Sequence, residues 1–349
     1  MKNCDRRRRR PESAWTFPAL LALVLSACLP DLAVDESTID GPRVLAVQVV
    51  PPEAAPGTEV TVRALIATPE GEPQTSTVDW AFCTARKPLS ELGSVAVKCL
   101  DEGSHLTPIG EGLTTTGTLP IEGCSTFGPN PPEAVDGQAA GRPADADATG
   151  GYYQPLRVGT PDGGAAIAQA RISCGVSGAS QKLAAEMTRR YHPNANPALE
   201  SLVLLRGGSK VTLGADAPPT VKRGETLAIR ARWADCPDRA VCGDGACGTS
   251  EDAVDCPDDC AAPAGCTGAE AYVLFDRQEQ SISVARESLR LSWYATGGTF
   301  AASHTGPTGA RDADNGWTAP AKVGLLHLWV VVRDDRGGVG SMHRTLRVE

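Results

Sequence analysis

The chain has little that would carry it across a bilayer. Its N-terminal apolar run, Phe17 to Leu25, is about ten residues, roughly half of the ~20 that a hydrocarbon core requires. Positive charge is also short: 33 Lys and Arg stand against 42 Asp and Glu, for a formal net charge of -9. An acidic chain without a basic patch excludes nucleic acid as a partner, because such binding depends on neutralising phosphates. Catalytic signatures are missing too: there is no His-Glu-x-x-His, no Gly-x-Ser-x-Gly, and no phosphate loop ending in Gly-Lys-Ser/Thr. Gly175-Val-Ser-Gly178 and Gly207-Gly-Ser-Lys210 have the wrong spacing for either loop. The five histidines (His105, His192, His304, His327, His343) are scattered, and His327 falls in a strand, where it reads as exposed or hydrogen-bonded. These absences predict a protein that is not an enzyme.

The N-terminus has the layout of a secretory signal. Lys2 and Arg6 to Arg10 form a basic head, Phe17 to Leu25 the apolar centre, and Ser26-Ala27 the small residues before Cys28. Leu25-Ser26-Ala27-Cys28 resembles the bacterial lipobox, which implies cleavage before Cys28 and acylation of its thiol. Leu29, in place of an aspartate, implies the outer membrane by the same resemblance. An ordinary cleaved signal ending in small residues is the rival reading. Residues 1–27 carry six basic residues against Asp5 and Glu12, a surplus of four, so their removal takes the charge from -9 to about -13.

Of 12 cysteines, Cys4 leaves with the signal and Cys28 goes to lipid. The ten that remain fit disulfides in an oxidising compartment: Cys83, Cys99, Cys124 and Cys174, then Cys236, Cys242, Cys247, Cys256, Cys260 and Cys266.

With 37 Gly and 27 Pro punctuating short Val/Leu/Thr runs, the chain predicts a mostly β fold. After a tether ending at Gly41, strands are expected at Pro42–Val50, Glu59–Leu65 and Val78–Phe82. Val60, Val62 and Ala64 share one face of the second, and Val78, Trp80 and Phe82 one face of the third. The order returns at Leu199–Leu205, Glu225–Trp233 and Leu289–Trp293. Towards the ends, Gly151–Pro155 and Ala170–Cys174 correspond to Gly316–Pro320 and Leu326–Val332. Two β-sandwiches are therefore expected, residues 42–195 and 196–349. In the first, Gly123–Gly151 reads as a mobile loop unable to bury a core, and Ser180–Tyr191 as a helix ended by Pro193. His192–Pro197 reads as the link. The stretches Leu291-Ser-Trp-Tyr-Ala-Thr-Gly-Gly298, Trp317-Thr-Ala-Pro320 and Leu328 to Gly338 resemble bacterial immunoglobulin-like domains of the polycystic-kidney type. That resemblance implies Trp293, and Trp80 in the looser first copy, as core plugs between two sheets.

The copies differ most between their second and third strands, where the later one has about 46 more residues. This insertion, residues 235–280, contains Cys242-Gly-Asp-Gly-Ala-Cys247 and Cys256-Pro-Asp-Asp-Cys260. It resembles the CGDGxC…CPxDC modules of exported proteins from myxobacterial-type cells. Disulfides alone would hold a segment with so little apolar content. Its acidic residues leave calcium open, with Asp244, Glu251, Asp255 and Asp259 as the ligands. Zinc is disfavoured, since no Cys-x-x-Cys pair exists and the compartment oxidises thiols. The Asp312-Ala-Asp-Asn-Gly316 cluster reads as a turn. The function these features imply is a lipid-anchored envelope module that binds a protein or glycan or plays a structural part. The alternatives are a periplasmic assembly lipoprotein or an accessory part of a secreted hydrolase.

Overall fold

The computed structural model describes residues 35–73, 75, 78–85, 95–126, 128, 147–160, 164–214, 217–236, 266–309 and 311–349. Residues 36–349 form one compact unit, mostly β, containing two immunoglobulin-like sandwiches.

Both sandwiches follow one plan. In the first, Arg43–Val50, Glu59–Ala67 and Thr114–Thr118 make one sheet. Glu53–Ala54, Ala165–Ser173, Gly151–Gly159, Asp79–Cys83 and Leu106–Glu111 make the other, in that spatial order. In the second, Leu199–Arg206, Thr226–Trp233 and Asp312–Thr318 repeat the first sheet, extended by Ser209–Thr212 and Thr299–Phe300 at its edges. Thr220–Val221, Val339–Val348, Gly324–Arg333, Arg290–Ala295 and His304–Thr305 repeat the other. In each copy a two-residue strand runs parallel to the last strand: Glu53–Ala54 on Arg171–Ile172, and Thr220–Val221 on Arg347–Val348.

The period-two pattern explains the sheets. Val60, Val62, Ala64 and Ile66 alternate inward, as do Leu227, Ile229, Ala231 and Trp233. Trp80 and Trp293 sit at topologically equivalent places, each fully buried between the sheets. Their indole N–H groups donate to Gly112 O (2.7 Å) and Thr305 Oγ1 (2.9 Å), which removes the cost of burying a donor.

Several sequence expectations are corrected. By topology, Gly151–Gly159 corresponds to Gly324–Arg333, and Ala165–Ser173 to Val339–Val348, so the end correspondence had slipped by one strand. Asn315-Gly316 lies within a strand, not a turn: the buried Asn315 amide bonds both ways to Ala302, which anchors an otherwise turn-prone pair. Asp312 and Asp314 are balanced by Arg230 across the sheet, the latter through a two-pronged contact of 2.6 and 2.7 Å. The 123–151 segment does contribute to a buried site, because Asp147 pairs with Arg171. The supposed tether is docked from residue 37: Ile39 is buried, and backbone bonds of 2.9 Å join Ser37 and Ile39 to Ala295. At the end of the insertion, Ala271–Asp276 forms a hairpin with Ser281–Arg286 just beyond it. It packs Val273 and Phe275 against Met187 of the helix Gln181–Arg190, whose start is capped by Ser180.

Among the described residues, six cysteines form three disulfides: Cys83–Cys99, Cys124–Cys174 and Cys236–Cys266.

Candidate functional site

Where the two sandwiches meet, charged groups are buried together. Glu53 enters through its two-residue strand, next to the last strand of its own sheet. Its carboxylate accepts hydrogen bonds from Ser173 Oγ (2.9 Å), Tyr191 Oη (2.7 and 2.8 Å) and the Asn194 N–H (3.0 Å). Arg171 lies 3.3 Å away through Nε, and Arg336 3.2 Å away through a terminal nitrogen. The Glu53 side chain has no exposed surface at all.

Arg336 is the hub. It sits in the turn joining the last two strands, a segment whose Asp334 accepts the N–H groups of Arg336 (2.9 Å) and Gly338 (2.7 Å). The guanidinium reaches Glu270 (2.7 Å), Glu287 (3.4 Å), Tyr191 Oη (2.9 Å) and the carbonyl of His192 (2.8 Å). The rings of Tyr191 and Tyr272 lie 5.1 and 4.8 Å from its central carbon. His192 Nε2 adds a 3.1 Å contact to Glu270, and Asn194 donates to Asp334. The His192–Pro197 segment is therefore a buried joint rather than a loose link.

The electrostatics follow from this crowding. Burial works against the Arg336 charge, but Tyr191, Glu53 and Glu270 outweigh it and hold the guanidinium above its ordinary value. Burial, helped by Asp334 and Glu270, pushes Glu287 up to about 9 and outweighs the pull of Arg336. Tyr191 rises to about 12, through burial and then the Glu53 charge. Asp147 is lowered: burial opposes its charge, and Arg171 more than compensates.

A second cluster lies where the outer face of strand Gly324–Arg333 meets the first sandwich. Trp329, Val331, Ile39, Leu45, Ala46 and Ala67 form a shared apolar core there. Trp329 donates to Glu72 (3.2 Å). His327 Nδ1 faces His343 Nε2 at 3.0 Å, and His343 Nδ1 lies 3.7 Å from Glu72. Gly71, at φ +116°, makes room: a Cβ there would come within 2.8 Å of His327 Cε1. Burial lowers both imidazoles, and His343, also facing His327 and Arg344, falls to about 4. A cavity of about 330 Å³ opens beside His343, lined also by Glu72, Arg63 and Arg344.

Of the residues singled out from sequence, Cys28, Cys242, Cys247, Cys256 and Cys260 lie outside the described residues. So do the calcium candidates Asp244, Glu251, Asp255 and Asp259. Among the described residues no group of three or more His, Cys, Asp or Glu is placed to hold a metal ion. Neither buried cluster had a sequence signal of its own. Glu53, Arg171, Tyr191, Glu270, Glu287 and Arg336 come from six separate elements or turns.

No protein-family model matches the chain, and no curated protein is similar to it. Among solved structures, the chain is similar to fibronectin(III)-like modules of Clostridium thermocellum CbhA, at 10% identity over 87% of this chain and 93% of the other, TM-score 0.18. The D0-D1 domain of Intimin aligns at 9% identity over 87% and 98%, TM-score 0.19. The Yersinia pseudotuberculosis adhesin InvE aligns at 10% identity over 86% and 58%, TM-score 0.20.

Proposed function

We propose that the chain is a lipid-anchored protein of the outer membrane whose two sandwiches act together as a non-enzymatic binding or structural module for an envelope protein or glycan. The buried joint carries this reading. A protein that stacks Glu53, Glu270, Glu287 and Arg336 between two sandwiches, and pins its own entry segment at Ala295, invests in holding the sandwiches as one body. Loops at the ends of such a scaffold are where recognition is carried. With Cys28 acylated, residues 29–36 are the whole leash before the docked Ser37. At about 3.5 Å per residue they reach no more than ~28 Å, which keeps the module against the bilayer.

The test is fractionation of cells expressing the wild type and Cys28→Ser. Wild type is expected in the membrane fraction and the variant in the soluble envelope fraction. A Cys28→Ser protein that stays fully with the membrane overturns the anchor. Protease shaving of intact cells then separates an outward-facing binding role, in which the protein is lost, from a periplasmic structural one, in which it survives.

A further inference from the structure

We propose that His327 and His343 form a two-coordinate site for a soft monovalent cation of the Cu⁺ class, seated against the face of Trp329. The site owes nothing to the anchor or to the cysteine-rich insertion.

The geometry is that of two donors aimed at one point. Nitrogens 3.0 Å apart belong to rings whose centres are 5.2 Å apart and whose planes differ by 20°. The difference between those separations is close to two ring radii. Each nitrogen therefore lies near the line of centres, and the rings meet edge to edge with their in-plane lone-pair directions opposed. Strand pairing fixes this: His343 is opposite Trp329 across the last hairpin, and His327 lies two residues before Trp329 on the same face.

Trp329 supplies the third side. Its ring centre is 4.9 Å from that of His343 and 5.7 Å from that of His327, with planes tilted by 13° and 24°. The midpoint between the imidazoles falls about 4.6 Å from the indole centre, inside the ~6 Å reach of a cation–π contact. Glu72 stands behind His343 on the Nδ1 side and is itself held by the Trp329 N–H. At 3.7 Å the Glu72 carboxylate makes no hydrogen bond to His343 Nδ1, but it places a negative charge beside the pair.

Ligand count and charge choose the cation. Zn²⁺ wants four ligands, and among the described residues no third His, Cys, Asp or Glu joins these two histidines in a metal-holding group. Arg344 lies close by, its guanidinium bonded to the carbonyls of Leu213 and His343, and its charge disfavours a dication more than a monocation. Two metal–nitrogen bonds of about 2 Å in line need the nitrogens roughly 1 Å further apart than in the empty pair. His327 packs against Gly71, whereas His343 borders the cavity and has room to give way. No net proton is lost: with His343 protonated on Nδ1, the proton that His327 Nδ1 donates to His343 Nε2 moves to His327 Nε2 as the cation takes its place.

The experiment uses the full chain, disulfides intact and free thiols alkylated, titrated with Ag⁺ as a redox-inert probe in halide-free buffer. Wild type is expected to take up one equivalent more than the His327→Asn/His343→Asn variant. Glu72→Gln, which removes the neighbouring negative charge, should bind more weakly. Equal uptake and affinity in wild type and the double variant overturns the site. Zn²⁺ bound at these histidines as tightly as Ag⁺ overturns the two-coordinate class. A measurement on the wild type alone covers a variant that fails to fold: long-range ¹⁵N spectra should show His327 Nδ1 and His343 Nε2 shifting with the first equivalent. Imidazole nitrogens that do not move while silver binds place it elsewhere and reject the proposal.

Discussion

Glu287 holds its proton well past the pH at which a free glutamate releases it, because burial and two neighbouring acids raise its pKa to about 9. Between its ordinary value of 4.5 and about 9, the folded chain keeps a proton that the unfolded chain gives up. Stability from this residue is thus complete below the ordinary value and is lost as pH rises towards 9. Glu287→Gln, which is neutral throughout, is expected to flatten the fall in urea midpoint between about pH 5 and pH 9. A slope identical to wild type would place the proton on a neighbour such as Asp334, whose carboxyl burial also pushes up. None of this was legible in the sequence. No local pattern joins Glu53 to Arg336, which are 283 positions apart.

At the level of elements the sequence was more informative. Strands that bury one face, such as Glu59–Ala67 and Thr226–Trp233, announce themselves by alternation, because the pleat forces it. Thr114–Thr118 and Ser209–Thr212 escaped notice because their exposed, polar residues leave no apolar stripe. The hairpin Ala271–Arg286 escaped because it lies beside the cysteine-rich stretch and buries only Val273 and Phe275 well. Even cysteine count foretold disulfides but not partners. The Cys83–Cys99 bridge ties strand Asp79–Cys83 to the short helical turn Val97–Leu100, with both cysteines fully buried. Replacing both with Ala closes no loop in the unfolded chain and is expected to cost about 2–4 kcal/mol. Thermal melting of the oxidised proteins reads it, and an unchanged midpoint would mean the loop is held by other contacts.

At the scale of the whole molecule, the question is whether two sandwiches with separate cores unfold separately. Each core is complete enough to stand as a domain, which argues for two transitions. Against that stand the shared apolar patch around Trp329 and the Arg336 joint. Direct hydrogen bonds add to them, such as Arg333 to the Leu45 carbonyl and Gln48 to the Val339 carbonyl, both 2.7 Å. The joint decides the matter through its asymmetry. Buried pairs contribute little net stability when intact, and separating the sandwiches would let water back onto them; removing one partner from the intact joint, by contrast, leaves a carboxylate without its cation in a dry site, at about 3–5 kcal/mol. Wild type is therefore expected to melt in one calorimetric transition. Arg336→Ala removes the arginine from Glu270, while Glu53 keeps Arg171, and should lower stability by that amount while splitting the endotherm in two, because the coupling is lost and the cores remain. Arg336→Lys should resemble the alanine variant more than wild type, since one ammonium cannot reach both glutamates, Tyr191 and the His192 carbonyl at once. A wild-type endotherm already split would show that the sandwiches unfold independently, and an Arg336→Ala endotherm that shifts without splitting would show that the apolar patch alone couples them.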